Sequence, residues 1–189
     1  LSLEPTGHAA SFTAVQAGTT NINLTFSAAS TITNAAGYII LRRSDGNNPT
    51  NAGVTDAATT AAAPTAGTTL VTTITSTSTT SFNDGGVISS QQYNYIIIPY
   101  GYNGTNALSY NYFTAGTIPS ANATTLPDAP TALDADPINP NSFTAHWQTV
   151  DRAVSYVIDV SLVNTFVSHV DGYPQNVGNV SEFLVSLLQ

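Results

Sequence analysis

Three histidines, His8, His146 and His169, and eleven carboxylates are the side chains here best suited to move protons or bind a metal ion. A catalytic triad or a metal centre would need histidines brought together with carboxylates. No H-E-x-x-H or paired-ligand spacing does so in sequence, and His146 alternates with Trp147, so it should face outward from its strand. Cysteine is absent, which removes thiolate chemistry, cysteine-based zinc sites and any disulfide framework. Asp128, Asp134 and Asp136 lie close in sequence. Clustered oxygens suit calcium, but acids in linkers and turns are ordinarily solvated. Asp45-Gly46-Asn47-Asn48 resembles part of a calcium loop but has neither the regular acidic spacing nor the distal glutamate, and reads as a turn. No glycine-rich phosphate loop or G-x-S-x-G elbow occurs. The expectation is a protein without catalytic residues, metal site or cofactor, and not an enzyme.

Aromatic chemistry is more concentrated. Tyr93, Tyr95, Tyr100, Tyr102, Tyr110 and Tyr112 fall within twenty residues of one another. Exposed tyrosines on a sheet can stack on sugar rings or anchor a protein contact. Tyr93 and Tyr95 read as core, and Tyr110 and Tyr112 as the face of a neighbouring strand. Tyr100 and Tyr102, beside the breakers Pro99 and Gly101, should be the most exposed and are the candidate binding residues.

The elements that must position these rings are strands. Tyr93, Tyr95 and Ile97 alternate with Asn94, Ile96 and Ile98, and Leu108–Thr114 follows at hairpin distance. Upstream, Ala10–Ala17 alternates around Phe12 and Ala14. Ile22, Leu24 and Phe26 form an apolar face, and Gly37–Arg43 places Tyr38 and Ile40 opposite Ile39 and Leu41. Ser44–Thr69 carries little pattern; a helix over Val54–Ala63 is conceivable from its alanines, but its threonines favour a loop. Leu70–Thr75 and Ser81–Val87 are short strands. Ala115–Asp128 reads as a Gly/Pro/Ala/Thr linker, with units at 1–126 and 127–189. The pattern then restarts: Pro130–Ala135, Ser142–Gln148, Val154–Val160, Phe166–Asp171 and Glu182–Leu188.

Composition narrows the class further. Charged residues make up 7% of the chain, against about 25% in an average soluble domain. Lysine is absent, and Arg42, Arg43 and Arg152 are the only arginines. A net charge of −8 argues against nucleic acid, whose phosphates demand cations. No apolar run approaches the roughly 18 residues of a membrane span. The start, Leu1-Ser2-Leu3-Glu4-Pro5, has no basic n-region, so either a leader has been removed or the chain is a segment of a longer one.

In order, these strands resemble fibronectin type III domains, twice. The opening strand resembles Ala10–Ala14, Phe26 matches the second-strand aromatic, and Tyr38 the third-strand tyrosine. Val87 and Tyr93 match the aliphatic residue and tyrosine of the corner preceding the sixth strand. In the second unit Pro130-Thr131-Ala132-Leu133 resembles the opening, Trp147 the core tryptophan and Tyr156 the third-strand tyrosine, and Val185-Ser186-Leu187-Leu188-Gln189 resembles the approach to the corner, with Leu188 as its aliphatic residue. Phe26, Tyr38, Tyr93, Trp147 and Tyr156 are thus the implied structural core. Gly37–Arg43 followed by its Pro/Asn/Thr insertion is similar to repeats of large secreted and surface proteins of Bacteroidota. The resemblance implies an all-β chain of two tandem immunoglobulin-like sandwiches, the second with its first five strands and without the last two.

What the resemblance implies functionally is a non-catalytic structural or adhesive protein, secreted or at the cell surface, with a place in a filament or large adhesin. The alternative is an accessory carbohydrate-binding or spacer module of a secreted enzyme, with polysaccharide as ligand. Two strands short, the second unit would expose an apolar face. Either the missing strands belong to a longer parent, or another subunit donates them, with Leu1–Leu3 as donor.

Overall fold

A computed structural model of the chain describes residues 1–27, 32–57 and 65–186. It is all-β, and it divides into two units, Leu1–Leu126 and Pro127–Gln189.

Unit one packs two antiparallel sheets. The first has the order β1 (Ser11–Gln16), β2 (Ile22–Ser27), β5 (Ser81–Asp84). β2 alternates buried Ile22, Leu24 and Phe26 with outward Asn23 and Thr25, as expected of a sheet with one wet face. The second sheet has the order β4 (Thr69–Ile74), β3 (Gly37–Arg43), β6 (Gln92–Gly101). The far edge of β6 is shared: β7 (Asn111–Tyr112) pairs with Tyr100 and Gly101, and β8 (Ser120–Thr124) with Gln92–Ile96.

β3 and β6 are buried on both faces, which is why their sequences are nearly continuous apolar runs. Toward the first sheet, Tyr38, Ile40, Tyr93, Tyr95 and Ile97 pack with Ile22, Leu24 and Phe26. On the opposite face Ile39, Leu41, Ile96, Ile98 and Tyr100 are covered by Val54, Leu70 and the tyrosines of the β7 region. The segment after β3, patternless in sequence, therefore has work at its ends. Ala57 N–H donates to the Tyr110 carbonyl at 2.9 Å, and Tyr112 N–H donates to Asp56 Oδ1 at 2.8 Å. Of the helix considered for Val54–Ala63, residues 58–63 lie outside the described residues; Val54–Ala57 is not helical.

Three local expectations are corrected. Leu108–Thr114 is not one strand: a 3-10 turn, Ala107–Ser109, capped by the Asn106 side chain, precedes the two-residue β7. The Ala115–Asp128 stretch is not all linker. Its Ser120–Thr124 is β8, with Ala121 and Ala123 turned inward; these small side chains carry no strand signature of their own, and partnership with β6 defines them. In unit two the fourth strand is not Phe166–Asp171 but Gln175–Gly178. Phe166 takes a left-handed φ of 51° and is 48% exposed, incompatible with a paired strand.

Unit two repeats the arrangement with shorter elements. β9 (Ala132–Leu133), β10 (Ile138–Asn139) and β14 (Glu182–Val185) all pair with β11 (Ser142–Trp147). β12 (Tyr156–Ile158) and β13 (Gln175–Gly178) form a separate two-stranded sheet. Trp147, Tyr156 and Val185 are its buried apolar centre. Leu188 lies outside the described residues.

Candidate functional site

β6 is the strand that positions most of the candidate residues. Tyr93 and Tyr95 point into the sandwich core, 5% and 0% exposed. Ile88 N–H donates to Tyr93 Oη at 3.0 Å, so the tyrosine ties the loop before it back onto the strand. Tyr95 Oη donates to Asp84 Oδ2 at 3.0 Å. Asp84, itself buried, also accepts from Gly86 N–H at 3.0 Å and from Arg42 Nη1 at 2.7 and 3.0 Å. The Arg42 guanidinium lies 5.1 Å from the Tyr93 ring centroid, a cation–π distance. This buried carboxylate holds β3, β5 and β6 together. Burial, followed by the Asp84 charge, pushes the Tyr95 hydroxyl well above the ordinary tyrosine range.

Tyr100 corrects the sequence expectation. It is 1% exposed, and its hydroxyl donates to the Ile74 carbonyl at 3.0 Å. Pro99 does not end β6: the strand runs through it and ends at Gly101. Pro99 lacks an N–H, and its carbonyl accepts from Phe113 on the edge where pairing passes from β7 to β8. The missing donor thus falls in a gap between partners, where a proline is tolerated. Gly101 is required by crowding, since a Cβ there would stand 2.2 Å from the Leu3 carbonyl oxygen. Tyr102 is half-buried and stacks on Tyr110, ring centroids 4.5 Å apart at 16°; Tyr110 stacks in turn on Tyr112 at 6.0 Å. Tyr110 is the middle ring of this column, Tyr112 at one end is buried, and Tyr102 at the other end is partly open to solvent.

The histidines go to separate places. His8 Nε2 lies 2.8 Å from the Ala115 carbonyl oxygen, with its ring against Phe113. His146 Nε2 lies 2.7 Å from the Asp136 carbonyl oxygen, and its Nδ1 3.3 Å from Glu182. His146 is half-buried and lies across the β11–β14 pair from the exposed Glu182. His169 Nδ1 pairs with Asp159 Oδ1 at 2.8 Å. Among the described residues, no three His, Asp or Glu side chains are gathered into a metal-binding group. Asp45 is chelated by the Arg43 guanidinium and caps Asn47 N–H, which holds its carboxyl well below the usual range.

Unit two holds a sizeable cleft. Trp147 and Tyr156, rings 5.5 Å apart, form its floor, and Leu133, Phe143, Ile158 and Phe166 are among its walls. Its volume is about 420 Å³. Tyr156 Oη accepts from Val150 N–H at 2.6 Å, whereas the Trp147 Nε1–H has no acceptor. Large apolar side chains stay exposed around this unit: Val154, Leu162 and Val167 are each more than 80% exposed. Phe166, which the alternation pattern assigns to a strand, is instead one of the cleft's walls.

No family model matches the chain, and no curated protein matches it. Solved structures do. A two-domain fibronectin type III segment of chicken tenascin is similar with a TM-score of 0.50 and 13% identity, covering 96% of this chain and 84% of that one. The FN1–FN3 domains of chicken contactin are similar with a TM-score of 0.42 and 12% identity over 100% of this chain, which spans 57% of that one. At such identity the likeness is one of fold. The chain is all-β, and its two units are immunoglobulin-like sandwiches of the fibronectin type III kind.

Proposed function

We propose that this chain is a non-catalytic structural segment of a secreted or cell-surface protein built from fibronectin type III-like modules, of the sort that recurs in large adhesins and surface filaments of Bacteroidota. The observation that carries the reading is the tandem itself. Two sandwiches follow one another, and the most elaborate side-chain network, Arg42–Asp84–Tyr95, is committed to holding strands together. The Thr-, Ser- and Asn-rich, lysine-free composition supports an extracellular setting. No helix among the described residues is long and apolar enough to cross a membrane.

The test has two parts. Antibody against unit one should label intact producing cells or their culture medium, and signal that appears only after lysis refutes the location. The purified chain should turn over none of a panel of ester, glycoside, peptide and phosphate substrates; saturable turnover abolished by a point substitution refutes the structural reading.

One observation favours a second reading, an accessory polysaccharide-binding or spacer module. Tyr102 ends the tyrosine stack and is partly open, and a flat aromatic face suits a sugar ring. Retention on an insoluble polysaccharide that is lost in Tyr102→Ala would support it. Tyr100, buried beneath the stack, contributes to such a surface only by holding it up.

A further inference from the structure

The tyrosine stack ends at Tyr102, and the chain runs from there into the loop 103–109, which two asparagine side chains hold in one geometry. Asn103 Oδ1 accepts from the N–H groups of Thr105 and Asn106, at 3.1 and 2.9 Å, and from the hydroxyls of Thr105 and Ser109, at 3.3 and 3.0 Å. Asn106 Oδ1 accepts from Leu108 N–H at 2.9 Å. Both asparagines are exposed, and each amide also carries two N–H donors on Nδ2. With their oxygens engaged inside the loop, the two Nδ2 groups have no partner among the described residues. Tyr102 is fixed as well. One face stacks on Tyr110 at 4.5 Å, and Tyr110 leans on the buried Tyr100 at 5.0 Å. A ring and donors held in place before a ligand arrives lower the ordering cost of binding. A sugar ring offers the complement, an apolar C–H face for the aromatic ring and a rim of hydroxyls for the amide donors. Charge selects among sugars. Lysine is absent, Arg42 and Arg43 are held by Asp84 and Asp45, and Arg152 belongs to unit two. Carboxylates, in contrast, lie close to the stack. Asp56 Oδ1 accepts from Tyr112 N–H at 2.8 Å, and the exposed Glu4 follows Leu3, whose carbonyl crowds Gly101. A uronic or sulfated sugar would bring negative charge toward these groups with no cation to meet it.

We propose that Tyr102, Asn103 and Asn106 form a binding platform for a neutral polysaccharide. An uncharged sugar ring stacks on the open side of Tyr102, and its hydroxyls accept hydrogen bonds from Asn103 Nδ2 and Asn106 Nδ2. Stacking and neutral hydrogen bonds carry the recognition, so binding is insensitive to salt. This assignment rests on the accessory polysaccharide-binding reading and narrows it to uncharged chains.

The test is depletion of the full 189-residue protein from solution by insoluble cellulose, mannan, arabinoxylan and cross-linked polygalacturonate. The expected result is saturable binding to at least one of the three neutral polymers, unchanged between about 0.1 and 1 M salt, and none to polygalacturonate. Tyr102→Phe should keep the binding and Tyr102→Ala should lose it. Asn103→Asp and Asn106→Asp each retain the oxygen that the loop uses but remove the Nδ2 donors. Each should weaken binding about tenfold, with far-ultraviolet circular dichroism and the urea midpoint unchanged. Full-strength binding in both aspartate variants, or in Tyr102→Ala, would overturn the platform. Tyr102-dependent binding to polygalacturonate as strong as to the neutral polymers would overturn the neutral ligand and leave the accessory-module reading standing. Binding to none of the four polymers would overturn both.

Discussion

Asp84→Ala should be among the most damaging single changes to unit one. The carboxylate is 3% exposed and accepts from Arg42, Tyr95 and the Gly86 backbone. Its removal leaves a guanidinium whose side chain is 16% exposed, a fully buried tyrosine hydroxyl and a backbone N–H without an acceptor. Removing one member of a buried pair costs about 3–5 kcal/mol. Because Arg42 retains some access to water, the lower end applies, about 3 kcal/mol. With a urea dependence of about 2 kcal/mol per molar for a domain of this size, the midpoint should fall by about 1.5 M. Unit one has no tryptophan, so the transition is followed by circular dichroism and tyrosine absorbance. The double variant Arg42→Met/Asp84→Leu should recover part of the loss, because no charge is then stranded. A loss below about 1 kcal/mol in Asp84→Ala, or strict additivity in the double variant, would refute the network as a buried, coupled unit.

Further outcomes follow from the same structure. Tyr93→Phe and Tyr156→Phe each remove an acceptor for a loop N–H, from Ile88 and Val150 respectively; each should cost about 1 kcal/mol in its own unit, read by denaturant midpoint. Gly37→Ala would set a Cβ 1.9 Å from the Ile74 carbonyl oxygen and 2.7 Å from Tyr100 Oη; it should cost about 3 kcal/mol, with exchange protection lost first between β3 and β4. Alkali should destabilise unit one. Burial, then the neighbouring Tyr110 and Asp56, push Tyr112 up to about 12 from its ordinary 10.0, and burial raises Tyr95 and Tyr100 as well. The folded chain therefore keeps protons that the unfolded chain releases. Stability is intact below about pH 10 and is lost as pH climbs through about 12, which urea midpoints and tyrosinate absorbance would follow together.

The alternation of Ile22, Leu24 and Phe26 and the two-faced burial of β3 and β6 could be read directly, because period-two patterning is a local property of the chain. β8 and β13 could not. Ser120–Thr124 and Gln175–Gly178 have almost no apolar periodicity and are strands only because β6 and β12 present edges to them. Tyr100 was misplaced for a related reason. A proline ordinarily ends a strand, and the gap between β7 and β8 that tolerates Pro99 is a tertiary feature with no local sequence signal. The walls of the cleft in unit two depend on loops such as that of Phe166, which no periodicity places.

The placement of the three arginines has a consequence for proteolysis. Trypsin-like enzymes cut after lysine or arginine, and this chain offers Arg42, Arg43 and Arg152 alone. Two of these lie side by side on β3, paired to β6 and held by Asp84 and Asp45, so the strand cannot be drawn into a protease cleft without dismantling the sheet. Arg152, 47% exposed in the turn between β11 and β12, is the one cationic bond a protease meets on the folded molecule. Cleavage there would separate the strand that carries Trp147 from the strand that carries Tyr156, whereas unit one would pass through a trypsin-rich environment as a single piece.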